Sequence, residues 1–262
     1  MNRLKNLFQS GKKDILNIYF TAGFPERDAT LPILEALHAA KVDIVEIGVP
    51  YSDPLADGPT IQNSGMKALQ NGMDLNLLFE QITSARAKGV DTPFVLMGYF
   101  NQIVQMGEKK FFDNCVSAQV DGLILPDLPL AVYQRDYQKT FADLDIAISF
   151  LITPQTPVER IKLINKLTTG FIYVVSNYAI TGAASNITQT QLDYFERIEK
   201  MNLSNPRLIG FGISNKETFD IACNHARGAI IGSAFIKNLE VEREKGIEYV
   251  EIVENFVRAV RN

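Results

Sequence analysis

The chain has 262 residues, with 26 Lys+Arg against 30 Asp+Glu, a formal net charge of -4 and 46% hydrophobic residues. This balance lacks the concentrated positive charge that holds a nucleic-acid backbone, so we expect no nucleic-acid partner. The longest apolar runs are far shorter than the roughly 20 residues that span a bilayer. The polar start MNRLKNLFQSGKK lacks the apolar segment of a signal peptide. The sequence therefore predicts no membrane association and a cytoplasmic location.

Short apolar runs alternate with longer helical segments along the chain. Eight runs are strand candidates, and they span residues 15–20, 42–49, 92–99, 121–126, 145–152, 170–176, 206–212 and 228–233. Continuous runs rich in Val and Ile are typical of strands buried on both faces, and regular alternation with helices indicates a parallel sheet. This pattern predicts an α/β fold, a (β/α)8 TIM barrel in which residues 1–262 form a single domain.

Two segments depart from this rhythm. Residues 177–191 are polar and small and directly follow the sixth run, which is typical of a mobile loop. Residues 50–74 hold a proline-rich turn and, around QNSGMKALQN, an extra helix. Both segments follow strands, and the loops after the strands carry the active site in barrels of this kind.

The second run carries a glutamate in its middle. Alternation along VDIVEIGV places Ile44, Glu46 and Gly48 on one face of the strand and the β-branched residues on the other. The β-branched face suits the outer helices, so Glu46 is predicted to point into the barrel. An unpaired carboxylate there loses solvation, which raises its pKa and lets it both give and take a proton. The alternative is a buried ion pair, but the other strand candidates carry almost no Lys or Arg.

The turn after this strand holds two aspartates between three prolines. Asp53 and Asp57 stand in SDPLADGP, and Pro50, Pro54 and Pro59 restrict the backbone around them. Asp-Pro and Asp-Gly are common turn dipeptides, so each aspartate could simply brace the turn. A stiff loop would also hold a carboxylate at a constant distance from the glutamate of the preceding strand.

Glycine-rich segments follow the last two strand candidates. Gly210-Phe211-Gly212-Ile213-Ser214 comes after the seventh run and Gly232-Ser233-Ala234 after the eighth. In barrels, the loops after these two strands commonly hold a phosphate through backbone N–H groups at a helix N-terminus. Such turns also occur as plain connections. Because a glycine-rich turn follows each of the two strands, we predict a phosphate site.

Other chemistries find less support in the sequence. A strand-end lysine for a Schiff base is absent, and His38 and His225 lie in or just after helical segments, where we expect structural roles. A magnesium site remains open as an alternative use of the carboxylates. Its candidate ligands are Glu46, Asp53, Asp57 and Asp127.

The motif VEIGVPYSDPLADGPTIQ (45–62) resembles the signature of the tryptophan synthase alpha chain family. YFTAGFP, LMGYFN, DGLILPDLP, YVVSNYAITG, GFGIS and GSA follow in the order and spacing of that family. The family fold is a (β/α)8 barrel. The resemblance implies a carbon–carbon lyase that cleaves indole-3-glycerol phosphate to indole and D-glyceraldehyde 3-phosphate by a retro-aldol reaction, with no metal and no cofactor in this chain.

The resemblance also implies roles for individual residues. Glu46 matches the general acid/base, and Asp57 matches the carboxylate that binds the indole N–H and stabilises positive charge on the ring. The positions that match the substrate pocket are Phe20, Tyr99, Ile124, Tyr173, Thr181 and Phe211. The positions that match the phosphate site are Gly182, Gly212, Gly232 and Ser233.

The family works with a partner, which the resemblance implies for this chain as well. A tryptophan synthase beta chain carries pyridoxal phosphate and receives the indole in an alpha2beta2 assembly, and Pro50 and Asp53 match positions that meet it. The lid segment Asn177-Tyr178-Ala179 departs from the family pattern, in which its last position is commonly glycine; alanine makes a positive φ costly there. A free-standing lyase and a mainly regulatory subunit that activates the beta chain remain open as alternatives.

Overall fold

Strands and helices alternate along the chain. The structure, a computed structural model, describes residues 2–176, 187–210 and 212–262. Among these residues the strands are β1 Ile15–Thr21, β2 Ile44–Gly48, β3 Phe94–Met97, β4 Gly122–Ile124, β5 Ala147–Ser149, β6 Leu151–Ile152, β7 Ile172–Val175, β8 Arg207–Gly210 and β9 Gly228–Ile231.

The helices pack around this sheet. They are α1 Arg3–Gln9, α2 Thr30–Ala39, α3 Pro59–Gln70, α4 Leu75–Ala87, α5 Phe100–Met106, α6 Glu108–Ser117, α7 Leu130–Val132, α8 Gln138–Asp143, α9 Val158–Leu167, α10 Gln189–Glu199, α11 Lys216–His225, α12 Ser233–Glu244 and α13 Tyr249–Arg261. A π-helical turn, Tyr133–Tyr137, joins α7 to α8. The extra helix predicted after β2 is α3. In the described part of the chain, none of these helices is long and apolar enough to cross a bilayer.

The sheet closes almost completely into a barrel, and one predicted strand supplies both of its ends. The strand order is β5-β4-β3-β2-β1-β9-β8-β7-β6, and all neighbours are parallel. β5 and β6 both lie within the single predicted run 145–152. Phe150 separates them, and its carbonyl accepts the N–H of Tyr173 at 2.9 Å. The predicted TIM barrel is therefore confirmed, with its fifth strand divided in two.

Burial follows the predicted pattern. β1 to β5 contain only buried residues, as expected for strands that have side chains inside and helices outside. On α2, Ile33, Leu34 and Leu37 form the inward stripe and are each 0% exposed. The outer face of the sheet and these helical stripes together make the main core.

Two buried carboxylates stabilise the end of the barrel where the strands begin. Asp121 accepts hydrogen bonds from the Phe94 backbone N–H and from Arg86 Nη2, both at 2.9 Å. Asp43 accepts a hydrogen bond from Arg261 Nη2, also at 2.9 Å. Each carboxylate is paired with an arginine, so its burial does not leave an uncompensated charge. The opposite end of the barrel, where the strands finish, carries the candidate site.

Candidate active site

Glu46 lies inside the barrel. It pairs in register with Tyr19 on β1 and with Val95 on β3, and its side chain is 0% exposed. Asn17 Nδ2 donates a hydrogen bond to Glu46 Oε2 at 2.9 Å. Among the described residues, Glu46 Oε1 has no hydrogen-bond partner. One oxygen therefore holds the side chain in place, and the other is available for proton exchange.

Burial changes the acid strength of this carboxyl. Loss of solvation is the main cause that raises the pKa of Glu46 to about 8, and the nearby charge of Asp57 raises it further. The hydrogen bond from Asn17 acts in the opposite direction. A carboxyl with this pKa can both lose and gain a proton near neutral pH, as a general acid/base requires.

Asp57 is the second buried carboxylate at this end of the barrel. Tyr99 donates its phenol proton to Asp57 Oδ2 at 3.0 Å, and the Tyr99 oxygen accepts the Ala56 N–H at 2.9 Å. Gln62 Nε2 binds the carbonyl of Asp57 at 2.9 Å and so connects the loop to α3. Burial raises the pKa of Asp57 to about 6, while the bond from Tyr99 lowers it. Near neutral pH, Asp57 is consequently the more acidic of the two carboxyls.

Two further phenols lie close to these carboxylates. Tyr19 and Tyr173 are nearly buried, and burial raises the pKa of both phenols; the charges of Asp57 and Glu46 raise it further. Each ring occupies space left by a glycine. A Cβ atom at Gly48 would collide with the Tyr19 hydroxyl, and one at Gly210 would collide with that of Tyr173. Both phenols therefore stay protonated and remain hydrogen-bond donors beside the two acids.

On β1, Tyr19 and not Phe20 shares the register level of Glu46, although the family resemblance placed Phe20 in the substrate pocket. Phe20 pairs in register with Ile47, whereas Tyr19 pairs with Glu46. Because successive side chains of a strand point to opposite faces, Phe20 faces the outer helices and not the barrel interior. The register therefore favours Tyr19 over Phe20 as the pocket residue of β1. The same alternation that located Glu46 could have identified Tyr19.

The remaining pocket positions fall into two groups. Tyr99, Tyr173 and Ile124 lie in or directly after strands that meet at the barrel mouth, and Ile124 shares a register level with Met97 and Gly48. Thr181, Gly182 and Phe211 lie outside the described residues, as does the lid segment 177–179. The predicted loop 177–191 extends too far, because α10 already begins at Gln189 behind a Thr188 cap.

The predicted phosphate site combines two adjacent loops. Gly212 follows β8 with a φ of +79°, a conformation that favours glycine. Gly232 caps α12 and Ser233 is its first residue, so the unpaired N–H groups of this helix start directly after β9. β8 and β9 are neighbours in the sheet, which puts both loops on one side of the mouth. Backbone donors at a helix N-terminus are suited to an anion.

The loop after β2 also carries the two predicted partner contacts. Pro50 is buried, and its carbonyl accepts a hydrogen bond from Gln102 Nε2 at 2.7 Å, so it does not present a side chain to the surface of the isolated chain. Asp53 is exposed and accepts a hydrogen bond from Ser52. Leu55, which sequence reasoning missed, is 87% exposed. Leu55 is the one large apolar residue of SDPLADGP, and this contrast with its polar neighbours is a sequence signal for a partner contact.

The four carboxylates considered for magnesium are not gathered into one cluster in the described structure. Within residues 2–176, 187–210 and 212–262, no group of three or more His, Cys, Asp or Glu side chains is placed to hold an ion. Asp127 instead accepts the N–H of Phe100 through both carboxylate oxygens. The histidines pair elsewhere, His38 with Thr92 and His225 with Glu199.

Comparison with known proteins gives one consistent result. The family model described as "Tryptophan synthase alpha chain" matches residues 4–262. The alpha chain of Parabacteroides distasonis is 52% identical over 242 residues, which is 92% of this chain and 94% of that protein. The alpha chain of Flavobacterium psychrophilum is 52% identical over 239 residues, which is 91% of this chain and 94% of that protein.

Solved structures agree with the sequence matches. A chain of the tryptophan synthase complex from Pyrococcus furiosus superposes with a TM-score of 0.84 at 35% identity, covering 95% of this chain and 98% of that one. The tryptophan synthase alpha chain of Legionella pneumophila superposes with a TM-score of 0.86 at 28% identity, covering 100% of this chain and 96% of that one.

Proposed function

The chain belongs to the tryptophan synthase alpha chain family, and from this premise we infer how its residues act on the substrate. The enzyme is a carbon–carbon lyase that cleaves indole-3-glycerol phosphate to indole and D-glyceraldehyde 3-phosphate in tryptophan biosynthesis. One observation carries the residue assignment: two buried carboxyls, Glu46 with a pKa of about 8 and Asp57 with a pKa of about 6, lie at the same barrel mouth.

Glu46 moves the proton that the reaction has to transfer. Carbon C3 of the indole gains a proton, and the hydroxyl on the carbon attached to C3 loses one. The bond between these two carbons breaks, its electrons return to the ring, and the hydroxyl carbon becomes the aldehyde. Glu46 Oε1, which has no hydrogen-bond partner among the described residues, can serve both transfers, because the pKa of the carboxyl is close to neutral pH and Asn17 holds the other oxygen.

Asp57 stabilises the charge that appears between these transfers. Protonation at C3 leaves positive charge on the indole ring, centred on its nitrogen. An ionised Asp57 that accepts the indole N–H opposes this charge in a site largely shielded from water. Tyr99 fixes one carboxylate oxygen and lowers the pKa of Asp57, which keeps it ionised at neutral pH.

The other site residues position the substrate. We assign Tyr19, Tyr99, Ile124 and Tyr173 to the walls of the indole pocket, and Gly212, Gly232 and Ser233 to the phosphate. Thr181, Gly182 and Phe211 are proposed for the same functions on the family resemblance alone. The phosphate group would anchor the substrate at one side of the mouth and so present its indole to the two acids.

A beta chain is the expected partner. The Pyrococcus furiosus structure is described as a tryptophan synthase complex. We propose that this chain likewise forms an alpha2beta2 assembly, in which the beta chain holds pyridoxal phosphate and consumes the indole. The steps assigned above use only protein side chains and need no cofactor in this chain. Asp53 and Leu55 are the exposed loop residues that we expect to meet the partner, and the cytoplasm is the expected compartment.

Indole release from indole-3-glycerol phosphate by the purified chain tests this function. We expect slow release by the chain alone and a strong rise on addition of a beta chain. Glu46→Gln should lower turnover on the order of 10²–10⁴-fold, the usual contribution of a general acid/base. The phosphate contacts stay intact, so affinity for a phosphate ligand should change little.

Glu159→Gln is the matched control, because Glu159 lies on the surface of α9 in an exposed pair with Lys162. It should retain full activity. Near wild-type turnover of Glu46→Gln would contradict the catalytic role. A high rate without partner, unchanged when a beta chain is added, would instead favour a free-standing lyase.

A further inference from the structure

Three cationic side chains line a cleft at the end of the barrel opposite the active site. They are Lys13, which precedes β1, Arg207, the first residue of β8, and Arg227, which precedes β9. β1, β9 and β8 are consecutive in the sheet, so the three residues lie side by side where these strands begin. Among the described residues, none of the three takes part in an ion pair.

The cleft is large enough for a small molecule. Its volume is about 410 Å³, which is within the usual range for small-molecule sites. Phe8, Leu203 and Pro206 also line it and supply apolar surface beside the charges. A cleft of this composition suits a ligand that carries both an anionic group and an apolar body.

The two arginines are held by helix ends. Arg207 Nη1 donates to the carbonyl of Ile198 in the last turn of α10 at 3.3 Å. Arg227 Nη2 donates to the carbonyl of Phe8 in α1 at 3.5 Å. A guanidinium has five N–H donors, so closing a helix end leaves most of them available. In the described structure Arg227 Nε is buried without any hydrogen-bond partner.

One carboxylate also reaches this cleft. Glu199 lies close enough to Arg207 to raise its pKa, but burial is the larger effect and lowers it. Glu199 Oε2 contacts His225 Nδ1 at 3.4 Å and forms no ion pair with either arginine in the described structure.

Two further carboxylates lie near the lining residue Cys223: Asp14 hydrogen-bonds to its thiol, and Asp220 pairs with Lys216. Of the lining residues themselves, two arginines and one lysine face the carboxylate of Glu199 alone. The partly buried positive charge is incompletely compensated, and a bound anion would compensate it.

We propose that this cleft binds a small organic anion, whose phosphate or carboxylate group contacts the three cations while its body lies on the apolar wall. The site is separate from the barrel mouth and does not depend on the catalytic assignment. β8 and β9 begin at this cleft and end at the loops of Gly212 and Gly232, so the new site and the predicted phosphate site lie at opposite ends of the same two strands.

NMR titration of the full chain with phenyl phosphate, and separately with benzoate, tests the proposal. Amide signals of Leu208 and Gly228 report on the cleft, and those of Gly212 and Gly232 report on the mouth. In the wild-type chain we expect saturable shifts at the cleft with at least one of the two probes. The double variant Arg207→Gln/Arg227→Gln should raise the Kd at the cleft on the order of tenfold or more. Its mouth signals should respond to phenyl phosphate as before.

Two further variants control for a nonspecific effect of charge and for loss of folding. Lys139→Gln/Lys162→Gln removes two exposed surface charges outside the cleft and should bind like the wild type. Lys13→Gln changes an exposed residue, so it should fold normally and still weaken cleft binding. The proposal is overturned if neither probe shifts the cleft signals in the wild type. It is also overturned if the arginine variant binds unchanged, or if the surface-charge control loses binding equally.

Discussion

The hydroxyl of Tyr99 donates a hydrogen bond to Asp57 Oδ2 at 3.0 Å, although 42 residues separate the two in sequence. Tyr99 follows β3 and Asp57 lies in the loop after β2, and these two strands are neighbours in the barrel. The contact fixes the carboxylate and lowers its pKa against the effect of burial. Tyr99 thereby acts on the charge of Asp57 as well as on the shape of the pocket.

Tyr99→Phe should weaken catalysis through Asp57. Loss of a hydrogen bond to a charged group costs about 1.5–3 kcal/mol, so kcat/KM should fall roughly 10- to 100-fold at neutral pH. The pKa of Asp57, about 6 in the wild type, should rise, which moves the acidic limb of the pH profile of kcat/KM to higher pH. Steady-state kinetics across the pH range measures both effects.

Tyr51→Phe is the control for this change. Tyr51 stacks on Tyr99 with ring centroids 4.9 Å apart, but its hydroxyl binds Asn101 and not Asp57. This variant alters the same aromatic pair but removes no hydrogen bond to Asp57. The acidic limb of its pH profile of kcat/KM should therefore stay where it is in the wild type. An unchanged acidic limb in Tyr99→Phe would show that Asp57 does not govern that limb.

Glu46→Gln should stabilise the protein in alkaline but not in acidic solution. The pKa of Glu46 is about 8 in the folded chain, against 4.5 for a solvated glutamate. Well below pH 4.5 the carboxyl is neutral in both the folded and the unfolded chain, so the pKa shift does not lower the free energy of unfolding. As the pH rises to 8, the unfolded chain ionises while the folded chain retains the proton, and the free energy of unfolding falls. The full loss is on the order of 4–5 kcal/mol.

Urea unfolding at pH 5 and pH 9 measures this difference. The neutral glutamine avoids the cost of ionisation, so the stabilising effect of the substitution should be several kcal/mol larger at pH 9 than at pH 5. Glu159→Gln, in an exposed pair, is the control for the substitution itself and should change the free energy of unfolding by less than about 1 kcal/mol. An equal effect of Glu46→Gln at both pH values would contradict the raised pKa, independently of any measurement of activity.

The barrel and its acid could be predicted from the sequence because both depend on local periodicity. Apolar runs located the strands, and alternation within one run placed Glu46 inside. The choice between Phe20 and Tyr19 depends on the same periodicity, because a shift of one residue along a strand exchanges its two faces. The register between β1 and β2 favours Tyr19.

Contacts between distant segments could not be predicted in this way. Pro50 stands in an irregular turn, where no periodicity predicts burial, and the structure shows it buried with its carbonyl bonded to Gln102 Nε2. The positions of Lys13, Arg207 and Arg227 likewise look unrelated in the sequence. They meet because the closed sheet makes β1, β9 and β8 neighbours.

Gly48→Ala should disturb the pocket by displacing Tyr19. The added Cβ would overlap the phenol, and the Tyr19 ring also packs beside Gly232. Overpacking of this kind typically costs about 1–3 kcal/mol of stability. Indole release should fall as well, because the displaced phenol belongs to the proposed indole pocket. Thermal unfolding and the indole assay measure the two effects.

Gly65→Ala gives a matched glycine control. Gly65 lies within α3, and a Cβ there would meet its nearest neighbour, the Tyr51 carbonyl, at an ordinary 3.8 Å. Alanine favours a helix over glycine by up to about 1 kcal/mol, so this variant should be as stable as the wild type or more stable. If Gly48→Ala behaves like Gly65→Ala, the position of the Tyr19 phenol does not limit the pocket.

Arg86→Met should be the most destabilising of these substitutions. The Arg86 and Asp121 side chains are only 4% and 2% exposed, and their ion pair spans 2.9 Å. Removing the arginine leaves a buried carboxylate that Arg3 reaches at only 3.4 Å, which should cost about 3–5 kcal/mol in urea unfolding. Lys139→Met breaks an exposed pair with Asp143 and should cost less than about 1 kcal/mol. Equal losses in the two variants would show that burial does not set the strength of the Arg86 pair.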